Sequence, residues 1–185
     1  HDEGVQIAKK MLDELRYTDE LGPIRFVRVF CFSGEDWCNV YGEVKTDEPR
    51  PTQVIWPIAP DWLPKKLHKD YDYFVNVYTH DVNLIRYLFD ERPKVESVFY
   101  RNPAGSLATL DFSEFSGVFE WGDIKQNRWE EGVEIIFEKG KLTIDLPPAF
   151  LRNQAAKVKL YKDDGTTRQV ISPQADWTWA FRRQE

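Results

Sequence analysis

Asn76, His80, Asn83 and Tyr87 recur at i, i+4, i+7 and i+11, a spacing that lines up one face of an α-helix. The row sets an amide, an imidazole and a second amide beside one another. An imidazole is the side chain whose ordinary titration falls in the neutral range, so it can take or give a proton at working pH. The amides can orient it, or a bound oxygen, by hydrogen bonds. Such a row is either a hydrogen-bonded strut inside a core or the floor of a site, and no stretch elsewhere competes with it.

Other chemistry is poorly supported. His68 lies in the charged run Pro64-Lys-Lys-Leu-His-Lys69 and reads as solvated, and His1 carries no signal. Cys31, Cys38, His68 and His80 match no zinc spacing, so no metal is expected. No local signature marks a Ser or Cys nucleophile. A hydrolase using His80 with Asp70, Asp72 or Asp81 has no motif behind it. Tyr73, Arg128 and Trp129 are candidates for substrate contact and equally for ordinary surface or core.

The element that must carry the row is Phe74 to Phe89, read as one helix of about four turns. Val77, Leu84, Ile85 and Leu88 form its apolar stripe. A first helix runs from Gly4 to Tyr17, with Asp2 able to cap it and Val5, Ala8, Leu12 and Leu15 as its stripe. Leu21-Gly22-Pro23 marks a turn. Strand Ile24 to Phe32 follows, with Ile24, Phe26, Phe30 and Phe32 on one side and Val27, Val29 and Cys31 on the other, as expected for a central strand covered on both faces. Ser33 to Tyr73 reads as a long irregular segment rich in proline, expected at the rim of a site.

After the helix comes a short strand, Val95 to Tyr100, joined to the first by a right-handed crossover if the two are parallel. The rest reads as an antiparallel meander: Leu107 to Phe112, Gly117 to Ile124, Val133 to Phe137, Leu142 to Leu146, Val158 to Tyr161 and Arg168 to Ile171. Hairpins are signalled at Glu138-Lys-Gly-Lys141 and Asp163-Asp-Gly-Thr166. Trp177, Ala180 and Phe181 begin a stripe in a last helix.

The fold class is therefore α+β: one large, mostly antiparallel sheet of six or more strands with helices on one face. The other face is left open. Glu120, Glu134, Glu138 and Asp145 would solvate part of it, while Phe119, Trp121 and Ile136 would not, so a homo-oligomer through that face is expected. The chain reads as a single domain over residues 1–185, with a linking helix in 1–20, the sheet-plus-helix core in 24–171 and the start of a C-terminal helix in 176–185.

Composition bounds the rest. The 185 residues carry a formal charge of -6 and no basic tract, which argues against nucleic acid or an anionic membrane as main partner. No apolar run approaches the roughly 18 residues of a membrane span, and His1-Asp2-Glu3-Gly4 is no signal peptide. A cytoplasmic protein with both cysteines reduced is expected.

The order of these elements, with Glu20-Leu-Gly-Pro-Ile-Arg-Phe-Val-Arg28, Asn76-Val-Tyr-Thr-His-Asp-Val-Asn-Leu-Ile-Arg-Tyr-Leu88, Glu138-Lys-Gly-Lys-Leu-Thr-Ile144 and Trp179-Ala-Phe-Arg182, resembles the C-terminal domain of the Gfo/Idh/MocA family. These are NAD(P)-dependent oxidoreductases, named for glucose-fructose oxidoreductase and inositol dehydrogenase. The likeness covers nearly the whole chain. It implies hydride transfer between NAD or NADP and a hydroxyl carbon of a polyol, sugar or cyclitol. It implies that His80 is the acid/base or the hydrogen-bond partner of the reacting oxygen. Asn76 then stands where the family often has Asp, and orients His80 without bringing a charge. Asn83 likewise stands where Asp is common. The family's aromatic substrate contact falls near Trp129. The family binds its dinucleotide on an N-terminal Rossmann domain, and no Gly-x-Gly-x-x-Gly follows a strand here. A fragment holding only the second domain, inactive by itself, is the expectation. The alternative is a non-catalytic α+β ligand-binding or assembly domain in which His80 is structural.

Overall fold

The computed structural model describes residues 3–34, 47–49, 58–101, 105–124, 129–148, 151, 154–164 and 168–171. Helix α1 (Glu3–Thr18) is followed by strand β1 (Ile24–Ser33), a 3-10 turn (Lys65–Leu67), α2 (His68–Val77), α3 (Thr79–Phe89) and strands β2 (Lys94–Phe99), β3 (Ser106–Asp111), β4 (Ser116–Asp123), β5 (Glu130–Phe137), β6 (Gly140–Leu146), β7 (Lys157–Lys162) and β8 (Arg168–Ile171). All eight strands form one sheet in the order β2-β3-β4-β1-β5-β6-β7-β8. Every neighbouring pair is antiparallel except β1 with β4. The α+β expectation holds.

The meander does not run unbroken, because β1 inserts between β4 and β5. Two antiparallel steps separate β2 from β4, and β4 is parallel to β1, so β2 also runs parallel to β1. The crossover through α2 and α3 therefore spans two intervening strands.

One face of the sheet is covered by the helices. Val27, Val29, Cys31, Phe119, Val133, Ile135, Leu142 and Ile144 are buried there, and Val5, Ala8, Leu12 and Leu15 of α1 close over its β6–β7 side. Ile24 joins this face rather than that of Phe26, because a register shift falls between them, and a bulge turns a side chain over. Phe119 and Trp121, expected on the open face, lie instead beneath the helices, against Phe74 and Tyr78. The other face carries Arg28, Phe30, Phe32, Glu120, Glu134 and Ile136, half-buried or exposed. Helices cover β1 on one side only.

Gly22, at φ 70°, makes the sharp turn from α1 into β1 that a side chain would resist. That turn is tied to the β5–β6 hairpin: the Glu138 and Lys139 amides donate to the carbonyls of Pro23 and Leu21.

Candidate functional site

The row of polar residues sits on two helices, not one. α2 begins at His68, inside the stretch expected to be irregular, and a turn at Tyr78 (φ -86°, ψ -6°) separates it from α3. No proline or glycine forces the break. It coincides with a buried aromatic ring: Tyr78 is 3% exposed and packs on Phe74, Phe119 and Trp121 at centroid distances of 5.6, 6.5 and 6.4 Å. Backbone bonds continue across the junction, from the Tyr78 amide to Phe74 and from the Val82 amide to Tyr78. His68 is not fully solvated; its ring nitrogen Nε2 pairs with the Leu63 carbonyl at 2.8 Å and helps fix the start of α2.

Asn76, His80 and Asn83 are all exposed. The buried side of α3 consists of Asp81, Leu84, Ile85, Leu88 and Phe89. At 100° per residue, His80 and Asn83 lie on one flank of that buried stripe, and Val82 and Arg86 on the other. The row is therefore surface that another part of the protein, or a bound molecule, can cover. Tyr73 stands three residues before Asn76 on α2, its hydroxyl 2.9 Å from Ser33 Oγ. Ser33 is fully buried and also lies 3.3 Å from the Tyr78 hydroxyl. Burial, opposed by these bonds, raises both phenols above the ordinary tyrosine range.

Beside His80 lies a carboxyl that sequence reasoning named only as a hydrolase partner of that histidine, not as a buried acid. Asp81 is 1% exposed, and neither carboxyl oxygen has a hydrogen-bond partner among the described residues. Burial first, then the charge of Glu131, holds its carboxyl well above the usual carboxylate range. Its other polar neighbour is Cys31, directly opposite Glu131 in the ladder between β1 and β5. Burial drives that thiol far above its ordinary value, with Asp81 and Glu131 adding to the effect. Cys31 is a free, unreactive thiol. Trp129, 7% exposed, donates its indole N–H to Glu131 Oε2 at 2.8 Å. The Asp81–Glu131 approach thus brings the first turn of α3, with His80, to the start of β5, with Trp129. The signal was present in the sequence: Asp81 holds the i+4 place between Val77 and Ile85 in an otherwise apolar stripe.

Arg128, Cys38 and the segment from Asp176 lie outside the described residues. No group of His, Cys, Asp and Glu among the described residues could hold a metal ion. No described helix is long and apolar enough to cross a membrane.

No protein-family model and no curated protein matches the sequence. Solved structures match the fold. An oxidoreductase domain protein from Kribbella flavida superposes with a TM-score of 0.56 at 18% identity, over 96% of this chain and 46% of that one. A dehydrogenase (MviM) from Clostridium difficile gives 0.52 at 11%, over 94% and 46%. An inositol dehydrogenase homolog from Azotobacter vinelandii, complexed with NADH and myo-inositol, gives 0.52 at 10%, over 92% and 41%. At such identities the likeness is one of fold. The chain spans less than half the length of these proteins, and it shares its fold with them.

Proposed function

We propose that this chain is the substrate-facing domain of an NAD(P)-dependent oxidoreductase acting on a hydroxyl carbon of a polyol, sugar or cyclitol. The observation that carries the reading is the exposed row Asn76, His80, Asn83 at the junction of α2 and α3, on a fold shared with an inositol dehydrogenase homolog. Oxidising an alcohol requires the hydroxyl proton to leave as the carbon loses hydride. His80 takes that proton through a ring nitrogen, Asn76 orients the ring or the substrate oxygen, and Asn83 bonds a neighbouring hydroxyl. Tyr73, Trp129 and Arg128 are assigned to the substrate side of the same region.

NAD or NADP is the hydride acceptor this reading implies. The described residues do not fit a dinucleotide cradle: no glycine-rich turn among them leads a strand into a helix. The cofactor would be held outside this chain.

One observation favours a second reading, an assembly or ligand-binding domain with His80 structural: Tyr73 and Trp129 already spend their polar atoms on Ser33 and Glu131. The test is the full-length protein, assayed with NAD and NADP over a panel of polyols, sugars and cyclitols. Dehydrogenation that falls about 10²–10⁴-fold in His80→Ala, with folding intact, is the expected result. No turnover across the panel, or turnover indifferent to His80→Ala, favours the second reading.

A further inference from the structure

On the flank of α3 away from His80, a cleft of about 720 Å³ opens between α2, α3 and strands β2 to β4. Leu110, Phe119 and Trp121 form its floor, Phe74 and Ile85 its helical wall, and Val98 of the edge strand its outer side. Val98 is 55% exposed, as is Val95 beside it. A trough of this size and apolarity falls in the range of small-molecule sites, and apolar surface left open in this way marks a binding region.

Arg86 and Arg92 line the same cleft. Both are exposed, and neither side chain makes an ion pair or hydrogen bond among the described residues. Three cations of the sheet are paired by contrast: Arg28 with Glu120, Lys141 with Glu134, Lys159 with Asp145. Asp70, in the first turn of α2, also lines the cleft. A ligand carrying an anion at one end meets attraction from the two arginines. Guanidinium groups pair well with a carboxylate, and a methylene chain gains about 0.8 kcal/mol for each CH₂ it buries.

We propose that this cleft binds a free long-chain carboxylate, with the acyl chain over Phe119 and Trp121 and the head group at Arg86 and Arg92. This site is independent of the oxidoreductase reading. Isothermal titration of the full-length protein with octanoate, decanoate and dodecanoate, each below its micellar concentration, tests it. One molecule should bind per chain, with affinity rising about 4-fold per added CH₂. Dodecanol should bind at least about 10-fold more weakly than dodecanoate, as expected for loss of a charge-assisted bond. In the double variant Arg86→Gln/Arg92→Gln, dodecanoate should fall to the level of dodecanol, with dodecanol itself unchanged. Val98→Trp, placed at the mouth, should abolish binding of both while circular dichroism stays that of the parent. The proposal is overturned by absence of saturable binding, by equal affinity for dodecyltrimethylammonium, or by arginine variants that bind as the parent does. It is equally overturned if phosphatidylglycerol vesicles capture the protein while free dodecanoate does not, or if the cleft proves to be closed by self-association.

Discussion

The indole N–H of Trp129 donates to Glu131 Oε2 at 2.8 Å, and the same glutamate is the acidic neighbour of buried Asp81. One carboxylate is thus held by a donor on the sheet side and faces an acid from α3. With the Asp81 carboxyl raised by burial and by Glu131, Asp81 stays protonated in the fold at pH values where it ionises in the unfolded chain. The folded state then binds more protons, so this group's contribution is full below the unfolded value near 4 and declines as pH rises towards the folded one. Asp81→Asn removes the linkage. Urea unfolding from pH 4 to 8 should show the variant gaining on the parent as pH rises, by as much as about 1.4 kcal/mol per pH unit within that window. A constant difference between the two proteins at all pH values would rule out the protonated assignment.

What was legible in the residues, and what was not, follows from the range of the forces involved. The α1 stripe Val5, Ala8, Leu12, Leu15 is a local period, and it is buried as read. The hairpins at Lys139-Gly140 and Asp163-Asp164 are local turn chemistry, and both join antiparallel neighbours. The parallel pairing of β1 with β4 joins distant segments, and alternation along either strand says nothing of its partner. Alternation also separates two faces without telling which one is covered, so Phe119 and Trp121 were set on the wrong one. The start of α2 at His68 was hidden by the prolines before it, because the helix begins just beyond Pro64. Spacing placed the row around His80 on one helix face and left open whether it was buried, whereas a turn at Tyr78 divides it between two helices and leaves it exposed. The buried acid beside His80 was not legible, because a search for apolar period passes over a carboxyl that occupies an apolar place.

Gly132 marks a close approach on the open face. A side chain there would put its Cβ 2.7 Å from the Ile144 carbonyl oxygen and 2.8 Å from the edge of the Phe30 ring. The ring can turn aside, whereas the neighbouring strand cannot move without disturbing the ladder. Gly132→Ala should cost about 1–3 kcal/mol in urea unfolding, the range for overpacking. Gly105→Ala, where the nearest atom is 3.7 Å away, should change stability by no more than about 0.5 kcal/mol.

Tyr78 holds the joint between the two helices by ring and hydroxyl separately. Tyr78→Phe deletes only the contact with Ser33 Oγ at 3.3 Å, while Tyr73 still reaches that oxygen. A loss of about 1 kcal/mol is expected. Tyr78→Ala also empties the space among Phe74, Phe119 and Trp121, for about 3–5 kcal/mol. If the joint positions His80, the Phe variant should keep the activity of the full-length protein and the Ala variant should lose it even at temperatures where it remains folded.

The open face of the sheet is suited to self-association because its charges are already balanced. Arg28 lies 2.8 Å from Glu120 and 3.6 Å from Glu134, Lys141 is 3.2 Å from Glu134, and Lys159 is 2.6 Å from Asp145. Leu107 and Ile136, each 36% exposed, stand among these pairs with Phe30, whose ring carries the Arg28 guanidinium at 4.9 Å. A second copy laid on this face would bury no net charge from these pairs. Arg28→Ala breaks that balance by leaving Glu120 without its cation. In the monomer the pair is partly solvated, so its loss should cost no more than about 1 kcal/mol. In a dimer the stranded carboxylate would be buried, at about 2–5 kcal/mol. Sedimentation equilibrium of the full-length protein should therefore show Arg28→Ala weakening self-association by more than about 10-fold while thermal unfolding barely shifts. Ile136→Glu should do the same. A parent protein that stays monomeric at high concentration, or a dimer indifferent to both substitutions, would place any assembly on another surface.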